Sequence, residues 1–357
     1  MKPFKYFTSR FASRLFALPL SVCFIALLGS SFTGCLDDTP EVYKVKFTHV
    51  VSPNTPKGKA AEFFAKRVDE LSEGRIKVEI FPNAQLSDDD RVFQELTRNN
   101  VQMAAPGFSK FTPIAREFSV WDTPFLFENI EQVHAITDGD IGQKMREIIS
   151  SRGVVALAYW DGGFKHFSTN KAPILLPSDL NGQKIRIMGS KVIEEQMKNL
   201  GATPYVMPFS EVYKALSSNL VDGAENPLTN IYNSNLYEVQ SSITLSKHGY
   251  LGYLVVVSES FWKQLPDELK EIFQAALKEA TEFEREESAK EEKAVLELFR
   301  QDSNLQQKLI ELDSEQKGQW REELRKIYPK LEAIIGSDLI NQILTIQNAT
   351  KREENTN

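Results

Sequence analysis

Residues 42–81 read VYKVKFTHVVSPNTPKGKAAEFFAKRVDELSEGRIKVEIF. Val42 to Val50 alternates around Val45 and Phe47, the two-residue period of a strand. Pro53 and Pro56 break the chain. Ala60, Ala61, Phe63, Phe64, Val68 and Leu71 then recur at helical spacing until Gly74 stops the helix, and Ile76, Val78 and Ile80 alternate as a second strand. Pro82-Asn83 turns the chain into Ser87-Asp88-Asp89-Asp90, which reads as an acidic helix start. Val101 to Ala104 is a third short strand, helical segments follow at 129–137 and 140–151, and Val154 to Trp160 is a longer apolar run. Strands alternating with helices predict an α/β domain with a mainly parallel sheet.

A second cycle follows. Lys184 to Met188 and Thr203 to Met207 read as strands and Lys191 to Leu200 and Ser210 to Asn219 as helices, enough to build a sheet of their own. A single hydrophobic core seldom organises more than about 250–300 residues, so two lobes are expected, with the ligand cleft of an α/β fold between them. The expected boundaries are 42–163 for lobe I, to which part of about 252–290 returns, and 164–251 for lobe II. Residues 252–345 read as long C-terminal helices bracing both lobes. Ile272, Phe273, Ala276, Leu277, Ala280 and Phe283 recur at helical spacing before the charged run EREESAKEEK (284–293), and 346–357 is a polar tail.

The 357 residues carry a net charge of −7, are 41% hydrophobic and 25% charged, which fits a globular chain and excludes a disordered one. The acidic excess argues against nucleic-acid binding, which needs clustered Lys and Arg. Four basic residues (Lys2, Lys5, Arg10, Arg14) precede a largely apolar stretch from Leu15 to Leu28, then small and polar residues up to Cys35. Residues 1–34 thus have the layout of an export signal. The apolar stretch contains Pro19 and is shorter than the ~20 residues that span a bilayer. Cys23 lies inside it, so cleavage would leave Cys35 as the only cysteine, and Phe32-Thr33-Gly34-Cys35 resembles the lipobox of bacterial lipoproteins. Residues 35–41 would then form a polar tether from a membrane-held Cys35 to the first strand.

The histidines His49, His134, His166 and His248 are scattered without metal-ligand spacing, and neither a nucleophile elbow nor a phosphate- or dinucleotide-binding glycine loop occurs. Gly162-Gly163 reads as a tight turn after a strand ending at Trp160, and the acids at 88–90 and Glu194-Glu195 as solvated helix charge. No catalytic group, cofactor or metal is expected. The reading is a binding protein.

Seven segments carry a specific resemblance: HVVSPNTPKG (49–58), IFPNAQLSDD (80–89), PFLFENI (124–130), LAYWDGGFKHFSTNK (157–171), LNGQKIRIMGS (180–190), MPFSEVYKALSSNLVDGAENPLTNIY (207–232) and FWKQLPDELK (261–270). In order and spacing the chain from about 43 to 340 is similar to the DctP-type solute-binding proteins of tripartite ATP-independent periplasmic (TRAP) transporters. The resemblance implies a two-lobed, flytrap-like periplasmic-binding-protein fold that closes on an organic acid, often a C4-dicarboxylate. It also implies exported, periplasmic work with transporter membrane subunits and no chemistry.

The resemblance puts the family's carboxylate-clamping arginine on Arg186. Its planar fork matches a carboxylate, and the alternation with Ile185 and Ile187 turns it to the other face of its strand. Asn226 matches the asparagine that hydrogen-bonds the same carboxylate, Lys165 a position of Arg or Lys supplying positive potential or a second contact, and Phe209 an aromatic wall. His49 and Lys57, at the first strand end and helix start, are candidates from the other lobe, whereas Trp121 and Trp160 read as packing. Arg186 and Asn226 specify a carboxylate and leave open sugar acids or other monocarboxylates. The same residues would serve a receptor signalling to a membrane sensor. An enzyme is disfavoured for want of an acid–base pair.

Overall fold

Tyr43–Thr48 forms β1, which pairs in parallel with β2 (Ile76–Phe81) on one side and β3 (Met103–Ala104) on the other. The computed structural model describes residues 41–354; the expected export signal and Cys35 lie outside them. The other strands are β4 (Val154–Thr169), β5 (Lys184–Ile187), β6 (Thr203–Val206), β7 (Gly223–Pro227), β8 (Ser242–Ser258) and β9 (Leu309–Ile310). They make one sheet in the order β2-β1-β3-β8-β4-β7-β5-β6, with β9 added to β8.

Two expectations are corrected by this sheet. It is mixed rather than mainly parallel: β5 pairs in parallel with β6 and β7, but β4 is antiparallel to both β7 and β8, and β3 is antiparallel to β8. Nor does the second cycle build a separate sheet, because β4 and β8 run through the middle and join both flanks. A doubly buried apolar run such as 250–257 reads alike in either strand direction, so the local pattern does not reveal the crossing. Gly162-Gly163 does not turn the chain either. β4 continues to Thr169, and its register against β8 shifts between Asp161 and Gly163. Glycine is required at this bulge: a Cβ on Gly162 would lie 2.6 Å from Leu251 O, and Gly163 has φ +107°.

The first helix, α1 (Pro56–Leu71), starts where Thr55 Oγ1 accepts the Gly58 N–H, with Pro56 at its first position. Its buried residues Ala60, Ala61, Phe64 and Val68 pack with Val45, Phe47 and Trp160. Then come α2 (Val92–Thr97), α3 (Ile130–Thr137), α4 (Asp140–Ser150), α5 (Lys191–Asn199), α6 (Val212–Ser217), α7 (Leu228–Asn233) and α8 (Glu259–Gln264). Asp88–Asp90 are not a helix start. They form a turn in front of α2, with Asp88 O accepting the N–H groups of Arg91 and Val92.

Helix α9 (Asp267–Gln301) has 35 residues, about 50 Å at 1.5 Å per residue. Leu269, Phe273, Ala276, Leu277 and Ala280 join the core that holds Val45 and Phe47, while Val295 and Phe299 join a different core around Val212, Leu216 and Ile231. One helix therefore packs on both flanks of the sheet. It is tied to α1 by Phe63 stacked on Phe283 (4.7 Å) and by Arg67 forked onto Glu279 (2.6 and 3.1 Å). Four further helices, α10 (Ser303–Gln306), α11 (Ser314–Arg325), α12 (Tyr328–Ile335) and α13 (Ser337–Glu354), complete the described chain.

Candidate functional site

Arg186 sits in the middle of β5. Ile185 and Ile187 are fully buried in the core beneath the strand, so alternation sends Arg186 to the opposite face, where it is buried as well (1% exposed). Nε and Nη2 donate to Met207 O at 3.2 and 2.9 Å, while Nη1 makes no hydrogen bond and no ion pair involves the guanidinium among the described residues. Burial lowers its pKa to about 10, a shift restrained by Glu225, Asp90, Asp88 and Asp89, so it stays cationic at neutral pH. The half-buried Phe209 ring lies 5.8 Å from its Cζ.

Arg186, Asn226 and Phe209 line one small cavity of about 30 Å³. Asn226 enters it from β7; its residue is buried and its Nδ2 has no hydrogen-bond partner. An uncommitted amide donor and a guanidinium with a free donor thus share one small, buried space, an arrangement that suits a carboxylate. On another wall Asn230 Nδ2 donates to Tyr253 Oη at 3.1 Å. Behind Tyr253, Lys57 Nζ lies 3.6 Å from the ring centre and donates to Ala105 O at 3.0 Å. Burial pushes Lys57 down to about 8 against the pull of Asp89 and Glu284.

Lys165 and His49 do not line this cavity. Lys165 Nζ is paired with Glu225 Oε1 at 2.9 Å, and Glu225 Oε2 lies 2.9 Å from His248 Nε2. An ionised carboxylate only accepts, so His248 donates through Nε2, and its Nδ1 accepts a hydrogen bond from the Ser246 hydroxyl at 2.7 Å. His49 is buried with neither ring nitrogen partnered, and it is Val50 and Val51 that reach the cavity. Trp121 and Trp160 are both fully buried, Trp121 stacked on Phe127 and Trp160 donating to Thr281 Oγ1 at 3.0 Å.

The sequence reading missed the cavity's acidic wall. Asp88 and Asp89 line it together with Lys110. Asp88 Oδ2 accepts the Ser210 hydroxyl at 2.6 Å, and its Oδ1 is buried without a partner. Asp89 Oδ2 accepts the Gly107 N–H at 3.4 Å, and Lys110 is bonded to Asp90. A usable signal existed. The acids follow the carboxyl end of β2 and Ser210 that of β6, where α/β crevices form.

A larger, more open depression of about 550 Å³ lies between β4 and α9, but its arginines are engaged. Arg285 forks onto Asp138 (2.7 and 2.8 Å), and Arg146 donates to Thr137 O. Among the described residues no group of three or more His, Cys, Asp and Glu is placed to hold a metal, and no helix is long and apolar enough to cross a membrane.

The fold is that of the two-lobed periplasmic solute-binding proteins. The chain belongs to the family described as bacterial extracellular solute-binding protein, family 7 (DctP), which matches residues 47–333 and comprises transporter substrate-binding proteins, not enzymes. It is 40% identical over 302 residues to the C4-dicarboxylate-binding protein DctB of Bacillus subtilis (85% of this chain, 86% of that protein). It is 37% identical over 319 residues to the C4-dicarboxylate-binding periplasmic protein DctP of Rhodobacter capsulatus (88% and 95%). Among solved structures, a TRAP periplasmic solute-binding protein of Sulfurospirillum deleyianum with bound succinate is similar at TM-score 0.83 and 49% identity, covering 86% of this chain and 99% of that one. The sugar acid binding protein DctPAm of Advenella mimigardefordensis, in complex with galactonate, has TM-score 0.84 and 30% identity over 87% and 99%.

Proposed function

We propose that this protein captures a C4-dicarboxylate of the succinate class outside the cytoplasm and passes it unchanged to the membrane subunits of a TRAP transporter. The observation that carries the reading is the sharing of one buried cavity by Arg186 and Asn226, the first without an ion-pair partner and the second with an unmatched amide donor among the described residues. Arg186 and Asn226 anchor one carboxylate and Phe209 covers the carbon chain, excluding water and strengthening the bonds beside it. On this reading residues 42–163 and 164–251 close over the ligand with α9 as their brace, which its membership of two cores supports.

Calorimetry with succinate, malate, sugar acids and amino acids tests the reading. Succinate is expected to bind, and Arg186→Ala to weaken it by about 2–5 kcal/mol because the ligand charge loses its partner. Unchanged affinity in that variant would overturn the assignment. Lipid on Cys35 is part of the same proposal, supported by the Phe32-Thr33-Gly34-Cys35 segment. Mass spectrometry of the mature N-terminus should find acylated Cys35, and an unmodified residue at any other start would refute it.

A further inference from the structure

Arg186, Lys110, Asp88 and Asp89 line the cavity, and Lys57 and Asp90 stand just outside it. Arg186 comes from β5, Lys110 from the 3₁₀ turn Phe108–Phe111 and Lys57 from α1, while Asp88, Asp89 and Asp90 come from the turn after β2. Glu225 on β7 acts on Arg186 from behind, and Tyr253 on β8 separates Lys57 from the cavity. Asp90 takes Lys110, Ser210 takes one oxygen of Asp88, and Gly107 N–H reaches one oxygen of Asp89. Among the described residues two polar side-chain atoms remain buried and unmatched on the cavity's residues: the donor Asn226 Nδ2 and the acceptor Asp88 Oδ1.

This pairing of donor and acceptor says what the ligand must bring. One ionised carboxylate fits at Arg186 and Asn226. A second ionised carboxylate would enter a small cavity beside Asp88 and Asp89, where Lys110 is already paired with Asp90 and Lys57 stands behind the Tyr253 ring. We propose that the far end of the ligand binds as a hydrogen-bond donor to Asp88 Oδ1, so that the site takes hydroxy acids directly and dicarboxylates in half-protonated form. The inference rests on the reading of Arg186 and Asn226 as a carboxylate anchor. A dicarboxylate that is a dianion in solution then binds with uptake of one proton from the solvent, shared between its distal carboxyl group and the aspartate wall; no other bond changes. Burial also holds Asp89 above its ordinary value despite Lys57 and Lys110, which marks this wall as one that favours protons.

The test is titration calorimetry of the full chain near pH 7.5, in buffers of differing ionisation enthalpy, with succinate and 4-hydroxybutyrate as probes. The succinate enthalpy should vary with buffer as uptake of about one proton requires, and its affinity should fall about tenfold per unit rise in pH. The 4-hydroxybutyrate enthalpy should not vary. Asp88→Asn supplies an amide donor in place of the acceptor, so uptake should vanish and succinate binding should lose its pH dependence. Ser210→Ala leaves the Asp88 charge in place, so uptake should persist although affinity falls. Succinate binding without proton uptake in the unaltered protein, or undiminished uptake in Asp88→Asn, overturns this inference alone. Absence of heat with every acid overturns the capture reading and this inference with it.

Discussion

Asp88 Oδ2 accepts a hydrogen bond from Ser210 Oγ at 2.6 Å although the two residues follow β2 and β6, the opposite edge strands of the sheet. The turns beyond both edges therefore meet over the cavity, and this bond holds them in contact. Ser210 is exposed and Asp88 half-buried, so solvent screening reduces a charge-assisted bond to about 1 kcal/mol. Ser210→Ala should weaken succinate binding roughly fivefold while leaving folding stability within about 0.5 kcal/mol. Calorimetry and chemical denaturation measure the two effects; a large loss of stability with unchanged affinity would show the bond to be structural only.

The Lys165–Glu225–His248 cluster joins β4, β7 and β8 beside the Asn226 backbone. Burial alone raises the Glu225 carboxyl, yet attraction to Lys165 and the hydrogen bond from His248 outweigh it and hold it at about 2. A folded value below the ordinary 4.5 gives stability that is present above pH 4.5 and lost as pH falls toward about 2. Glu225→Gln leaves the Lys165 ammonium buried without its partner and should cost about 3–5 kcal/mol at neutral pH. Its denaturation midpoint should also lose less on acidification to about pH 3 than that of the unaltered protein; parallel acid curves would refute this assignment.

His49 is buried with both ring nitrogens unmatched, and burial followed by the Lys57 charge pushes it down to about 3, against a small pull from Val51. Between about 3 and 6.5 the unfolded chain binds a proton at this site that the folded one excludes, so stability rises with pH there. His166, held at about 3 chiefly by burial, acts in the same window. His49→Leu should reduce the slope of unfolding free energy against pH by up to about 1.4 kcal/mol per unit, with the His166 share remaining. Denaturant melts at several pH values in this window check it, and an unaltered slope counts against a neutral His49.

Arg186 was legible because a four-residue strand with two core isoleucines leaves its arginine one face to occupy, and the family resemblance gave that face a purpose. Asn226 and Phe209 come to the same cavity. The pairing of Lys165 with Glu225 was not legible. Its partner Glu225 lies 60 residues away, and nothing local distinguishes a lysine that waits for ligand from one neutralised across a sheet. Asp88 and Asp89 were misread for a related reason: an acid run before a helix has the same local pattern whether it meets water or a cavity closed by a remote segment. The β4–β8 crossing was hidden by Gly162-Gly163, which serves a bulge as readily as a turn.

Ala84 occupies the left-handed region (φ 58°), next to Asn83 at 53°, in the turn that leads from β2 to Asp88. Two backbone bonds fix this path: Ala84 N–H donates to His49 O at 3.0 Å and Asn83 N–H to Val51 O at 3.1 Å. The strain at Ala84 is thus held by the same segment that lines the cavity, and it sets the direction in which the aspartates leave the sheet. A left-handed alanine costs about 1–2 kcal/mol, whereas glycine adopts this conformation freely but loses more chain entropy on folding. The strain exceeds the entropy difference, so Ala84→Gly should stabilise the protein by about 0.5–1 kcal/mol with ligand affinity unchanged. Ala84→Val adds a β-branch where φ is positive and should destabilise by more than about 1 kcal/mol. Denaturant melts of the three proteins decide the matter: an Ala84→Gly variant less stable than its parent would mean that the turn is not strained, and that the two backbone bonds alone aim Asp88.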